Sequence, residues 1–170
     1  MTVEGGSEVR DTSGVPPLEI AFTVACTPAH AFDVYARRTS LWWPSTHSVS
    51  GDPALEVVIE PRVGGRIYER TTAGQEHDWG WITSWDEPTR LGYRWYLGTD
   101  RTLATKVEIT FAASGAGKTE VTIRHSGWEA HGEGADVWRD RNRGGWSGVL
   151  PRYQNECHSE RNLSTSTTST

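Results

Sequence analysis

The sequence predicts an α+β domain: an antiparallel sheet of about seven strands followed by one long C-terminal helix. Three observations lead there. Short segments alternate apolar and polar residues at period 2, separated by Gly- and Pro-marked turns. Two short helical pieces interrupt this pattern after the first segment. From Glu133 onward the apolar spacing lengthens to the helical period.

The first strand spans Leu18–Cys26, where Ile20, Phe22 and Val24 alternate with Glu19, Ala21 and Thr23. Thr27 can then cap a helix whose first turn accepts Pro28, and Ala31, Phe32, Val34 and Tyr35 supply its apolar stripe. A second helical piece over Ser40–Trp43 stops at Pro44. Strands are expected around Leu55–Ile59, Arg66–Thr72, Glu76–Trp85, Arg90–Leu97, Ala104–Ala112 and Thr119–Trp128. Short turns between consecutive strands imply an antiparallel meander. In the last element Val137, Trp138, Trp146, Val149, Leu150 and Tyr153 are assigned to one face. Gly144-Gly145 predicts two helical segments or one helix with a weak joint there, since Gly costs about 1 kcal/mol against Ala in a helix.

A chain of 170 residues suits one domain. The expected boundaries are a disordered lead at 1–17, the domain at 18–157 and a disordered Ser/Thr-rich tail at 158–170. A formal net charge of −5 offers no clustered basic face for nucleic acid. No apolar run reaches the roughly 18 residues that a membrane helix needs. The polar start MTVEGGSEVRDTSG lacks the apolar core of a secretion signal. A cytoplasmic protein is therefore expected, with Cys26 and Cys157 as two separate thiols.

The ordered series of segments resembles the SRPBCC (START/Bet v 1-like) superfamily, and within it the AHSA1 group of Hsp90-ATPase-activator relatives. The matching pieces are Val24–Ala36, Leu41–Pro44, Pro61–Arg70, Trp79–Pro88, Arg90–Trp95, Thr119–Trp128 and Gly144–Leu150, spread over residues 18–156. The resemblance implies a helix-grip fold, with the sheet curved around the C-terminal helix and a cavity between them. It leaves chemistry open, because this superfamily grafts carriers, receptors, cyclases and regulators onto one scaffold.

Nine Trp in one small domain mean an aromatic core or an aromatic-lined pocket. His125 continues the alternation of Val121 and Ile123, so it points to the apolar side of its strand. It could orient a ligand or move a proton, as could Glu69 if it keeps the face of Ile67. Trp95 and Tyr93 alternate inward with Leu91. Trp146 is expected to face the sheet, and Trp42 and Trp43 to lie near the cavity mouth. Trp79 and Trp81 are placed on one strand face and Gly80 on the other, with either face open to be the concave one. Tyr68 completes the expected ligand-binding set of Trp42, Trp43, Tyr68, Trp79, Trp81, Tyr93, Trp95, His125 and Trp146.

No nucleophile elbow, phosphate loop, dinucleotide fingerprint or zinc-protease motif occurs, and the six His lack metal spacing. No metal or cofactor is expected. The leading expectation is a binding module for a small hydrophobic or aromatic molecule, acting as a monomer or homodimer without nucleic acid or membrane. A protein-interaction domain of the AHSA1 kind is the alternative. A polyketide-cyclase-like enzyme using His125, with Glu69, is the second alternative.

Overall fold

β1 (Leu18–Val24) leads directly into α1 (Pro28–Arg37). The Thr27 hydroxyl accepts the His30 backbone N–H at 3.2 Å, so the expected cap forms. β2 (Glu56–Ile59), β3 (Arg66–Arg70), β4 (Glu76–Asp86), β5 (Arg90–Trp95), β6 (Thr105–Ala113) and β7 (Thr119–Ser126) follow, and α2 spans Ala135–Cys157. The computed structural model describes residues 15–159. The expected lead over 1–14 and the tail over 160–170 lie outside these residues. Within the described part, the Arg139 guanidinium holds the Pro16 carbonyl at 2.6 Å, which draws the start of β1 against α2.

All seven strands form one antiparallel sheet in the order β1-β7-β6-β5-β4-β3-β2. The curved sheet, with α1 and α2 on its concave side, is the helix-grip arrangement. The second helical piece shrinks to a single 3₁₀ turn at Thr39–Leu41.

Two positions in β4 break the simple alternation. Against β3, Gly80 faces Ile67 while Asp78 faces Tyr68, so Trp79 is an extra residue. Against β5, Ile82 faces Tyr93 while Ser84 faces Gly92, so Thr83 is another. Each bulge shifts the phase of the strand by one residue. Trp79 and Trp85 therefore turn inward and Trp81 outward, which corrects the assignment of Trp79 and Trp81 to one face. Gly80 is required here, because a Cβ would lie 2.0 Å from the Arg94 carbonyl oxygen. The close neighbour is β5, not a helix or a ligand.

α2 is one continuous helix through Gly144-Gly145 and Pro151, so of the two expected arrangements the single helix forms. Trp146, Val149, Leu150, Tyr153 and Cys157 are buried against the sheet and α1. Val137 is 68% exposed. At about 100° per residue it lies opposite Trp146, so the two cannot share a face.

The interior between sheet and helices is filled with rings. The Tyr35 and Tyr93 hydroxyls meet at 2.8 Å. Trp42 sits 5.1 Å from both Tyr35 and Tyr153. Its indole N–H donates to the Val34 carbonyl at 2.9 Å. The space left between Tyr35, Trp42, Trp79 and Tyr93 is about 10 Å³, room for at most one water.

Candidate functional site

Open space lies at the mouth of the grip. A cleft of about 370 Å³ runs between α2, the loop after Trp43 and the end of β5. Four indoles line it: Trp43, Trp95, Trp138 and Trp146. Trp95 arrives because it continues the inward alternation of Leu91 and Tyr93. Trp43 is fixed by an indole N–H bond to the His47 carbonyl at 2.7 Å and packs 5.7 Å from Trp95. Trp138 stacks on His131 at 4.7 Å with the planes only 19° apart. Gly144 and Gly145 also line the cleft, and a Cβ on either would meet nothing within 4 Å.

The polar groups of the cleft sit on two sides. Thr46, His47 and Ser48 come from the loop, and Arg141 and Asn142 from α2. The Arg141 guanidinium lies 4.9 Å from the Trp138 ring centroid. Asn142 is held by its amide N–H on the Trp138 carbonyl at 2.9 Å. The arrangement offers apolar ring faces with a cation and amide at one rim. Such a surface holds a flat molecule by stacking and orients it by a few polar contacts.

The loop is anchored by Glu69. This carboxylate is fully buried and accepts N–H bonds from Val49 at 2.7 Å, Ser50 at 2.9 Å and the Trp79 indole at 2.7 Å. Burial pushes its pKa up, but bonds from Ser50, Val49 and Trp79 outweigh that and hold it below the usual carboxylate value. Glu69 keeps the face of Ile67, yet every donor around it belongs to the scaffold. It positions the Ser45–Pro53 loop and is not a proton carrier in the cleft.

His125 is also sealed. It has no exposed surface, and Trp128 covers its ring at 4.3 Å. The Trp146 indole N–H donates to Nδ1 at 3.1 Å. The ring proton therefore sits on Nε2, which donates to the Thr105 hydroxyl at 2.7 Å. That hydroxyl continues to the Trp95 carbonyl at 3.3 Å. Burial drives the imidazole pKa down to about 3, so the ring stays neutral. His125 braces Trp146 from behind instead of reaching ligand space.

Of the remaining expected ligand residues, Trp43, Trp95 and Trp146 meet at the cleft. Trp42, Trp79 and Tyr93 belong to the filled interior. Tyr68 and Trp81 lie on the convex face. Arg66 covers the Tyr68 ring at 3.9 Å, and Arg101 covers Trp81 at 4.0 Å. Arg66 pairs with Asp78 and Glu76, and Arg124 with Glu19. A second groove of about 510 Å³ runs behind Trp146 between β1 and α2, past Ile20, Phe22 and Leu150. Among the described residues no group of three His, Cys, Asp or Glu could hold a metal ion. No helix there is long and apolar enough to cross a membrane.

Sequence reasoning missed His47, Trp138, Arg141 and Asn142 as cleft residues. Trp138, Arg141, Asn142 and Gly145 follow i, i+3, i+4, i+7 spacing, a signal for one helix face. Nothing local in the sequence brings His47 to that face.

The model of the family named Activator of Hsp90 ATPase homolog 1-like protein matches residues 26–153. The chain belongs to this family. Among solved structures it resembles the anthrahydroquino-γ-pyrone synthase Txn09, solved as a complex, with 32% identity and a TM-score of 0.58, covering 84% of this chain and 97% of that one. It also resembles CalC, a self-sacrificing resistance protein from Micromonospora echinospora, with 28% identity and a TM-score of 0.63, covering 84% and 94%. An Hsp90 activator from Plasmodium falciparum shares the fold at 18% identity and a TM-score of 0.57, covering 80% and 91%. No curated protein matches the chain. The family and its neighbours define a ligand-binding or regulatory domain.

Proposed function

We propose that this protein binds a flat, largely apolar aromatic molecule in the Trp-lined cleft. The carrying observation is the contrast between about 370 Å³ of space at the mouth and about 10 Å³ in the interior. The larger volume lies in the range of small-molecule sites, and the smaller one holds no organic ligand. Trp43, Trp95, Trp138 and Trp146 supply the stacking faces; Arg141 and Asn142 orient the ligand's polar edge. The 32% identity to a synthase of a fused aromatic product supports this ligand class.

Titration with a hydroxyanthraquinone probe, read by Trp fluorescence, tests the reading. Saturable quenching is expected, and Gly145→Leu, which fills the cleft from its helix side, should abolish it. Linear quenching, or an unchanged isotherm in that variant, would contradict the proposal.

The identity to Txn09 also favours a second reading, in which the bound molecule reacts. The proton-transfer group would then be His47, which lines the cleft, in place of His125. Turnover of a polyhydroxylated anthraquinone-type substrate that survives His47→Ala would eliminate that role. The regulatory reading has less support. Among the described residues the large exposed apolar side chains are Leu41, Val49, Val63 and Val137, on four separate segments.

A further inference from the structure

Cys26 and Cys157 stand at opposite ends of the domain in sequence, and the fold brings them together. Cys26 follows β1 and directly precedes the Thr27 cap of α1; Cys157 is the last residue of α2. Their neighbours are joined, with the Ala25 backbone N–H donating to His158 Nε2 at 2.8 Å. His30, in the first turn of α1, bonds the Cys157 backbone, and the two thiols bond each other. Both residues are buried, Cys26 at 6% and Cys157 at 0% exposure, and neither is bridged.

We propose that Cys26 and Cys157 form a reversible intramolecular disulfide that locks the end of α2 to the β1–α1 junction when a low-molecular-weight disulfide is available. The two sulfurs are not equivalent. Of the two bonded thiols Cys26 is the less buried, and the bond with Cys157 favours its thiolate. Cys26 also lies at the positive end of α1, which favours the same anion. Cys157 is held protonated by that bond and by burial.

Cys26 is therefore the attacking sulfur. Its thiolate displaces one thiolate from the small disulfide and becomes a mixed disulfide. Cys157, giving up its proton to the departing thiolate, attacks the Cys26 sulfur and displaces the second small thiol. One small disulfide is reduced to two thiols, and two protein thiols are oxidised to one bridge. Access requires only the last turn of α2 to fray, the least costly opening of a helix that ends there.

Intact-mass analysis of the full chain tests this. The folded protein is incubated with oxidised glutathione, then denatured and alkylated with iodoacetamide. The expected product is lighter by two hydrogens and takes up no alkyl group. Its Tm lies about 10 °C above that of the reduced protein, because the bridge closes a long loop. Dithiothreitol reverses both changes. Cys157→Ser is expected to stop at the mixed disulfide, and Cys26→Ser to remain unmodified. Circular dichroism verifies that both variants fold; should either fail to, the mass and Tm of the unaltered chain decide. Two alkylated thiols after oxidation, a chain carrying only glutathione, or a disulfide-linked dimer would overturn the proposal.

Discussion

The Trp146 indole donates to Nδ1 of His125 across 3.1 Å, so a residue that lines the cleft is braced by one that never reaches it. This single bond fixes the imidazole tautomer and the ring plane of Trp146. It also turns the most reactive-looking side chain of the sequence into a support.

That bracing has a pH signature. The folded pKa of His125 is about 3, against 6.5 for the free side chain. The unfolded chain therefore binds the extra proton between these values, and stability falls as pH drops below about 6.5. The loss from this residue is about 2 kcal/mol by pH 5. His125→Gln keeps an acceptor for Trp146 and a donor for Thr105 but cannot charge. Urea unfolding at pH 8 and pH 5 is expected to show a smaller pH response in this variant. An identical response would assign the effect to other groups.

Glu69→Gln removes the charge that gathers Val49, Ser50 and Trp79. One amide oxygen and one amide group cannot accept the same bonds, and a cost of about 2–3 kcal/mol is expected. Because the carboxylate is held below its usual pKa, its contribution is present at neutral pH and is lost as pH falls through the folded value. Hydrogen exchange of the Val49 and Ser50 amides is expected to accelerate in the variant. Protection equal to the unaltered protein would show that the loop has another anchor.

Gly144→Ala makes the helix more stable without closing the cleft. The added Cβ meets nothing within 4 Å, and the helix interior gains about 1 kcal/mol from the replacement. Denaturant midpoints measure the gain. A loss of stability would mean that the bare glycine face serves the fold and not the opening.

The cleft and the convex face of the sheet separate in binding. Trp138→Ala removes one stacking wall of the cleft, and probe affinity is expected to fall about tenfold, or roughly 1.4 kcal/mol. Trp81→Ala, on the convex face, should leave affinity within about twofold. Isothermal calorimetry reads both, and equal losses would place the ligand somewhere other than the cleft.

Much of the fold is legible in the sequence alone. Period-2 alternation located the strands, because each side chain on a pleated strand alternates between core and solvent. The Thr27-Pro28 cap and the inward run Val121-Ile123-His125 followed from the same local rules, whereas those rules left the face of Glu69 open. The same rules misplaced Trp81, because one inserted residue at Trp79 reverses the phase and leaves no mark in composition. They also joined Val137 to Trp146, a pair that helical geometry puts on opposite faces.

By itself, then, the sequence determined the element order, the family and the aromatic richness of the domain, all of which depend on neighbours along the chain. Whether that richness would make a pocket was a tertiary matter. Tyr35, Trp42, Trp79 and Tyr93 close the interior only when three separate segments converge. His125 and Glu69 lose their chemical freedom to hydrogen-bond partners ten to twenty-one residues away. The cleft exists because Gly144 and Gly145 leave room beside rings carried in from β5 and the loop after Trp43. Burial, hydrogen-bond partners and empty space are properties of packed surfaces, and no one-dimensional pattern encodes them.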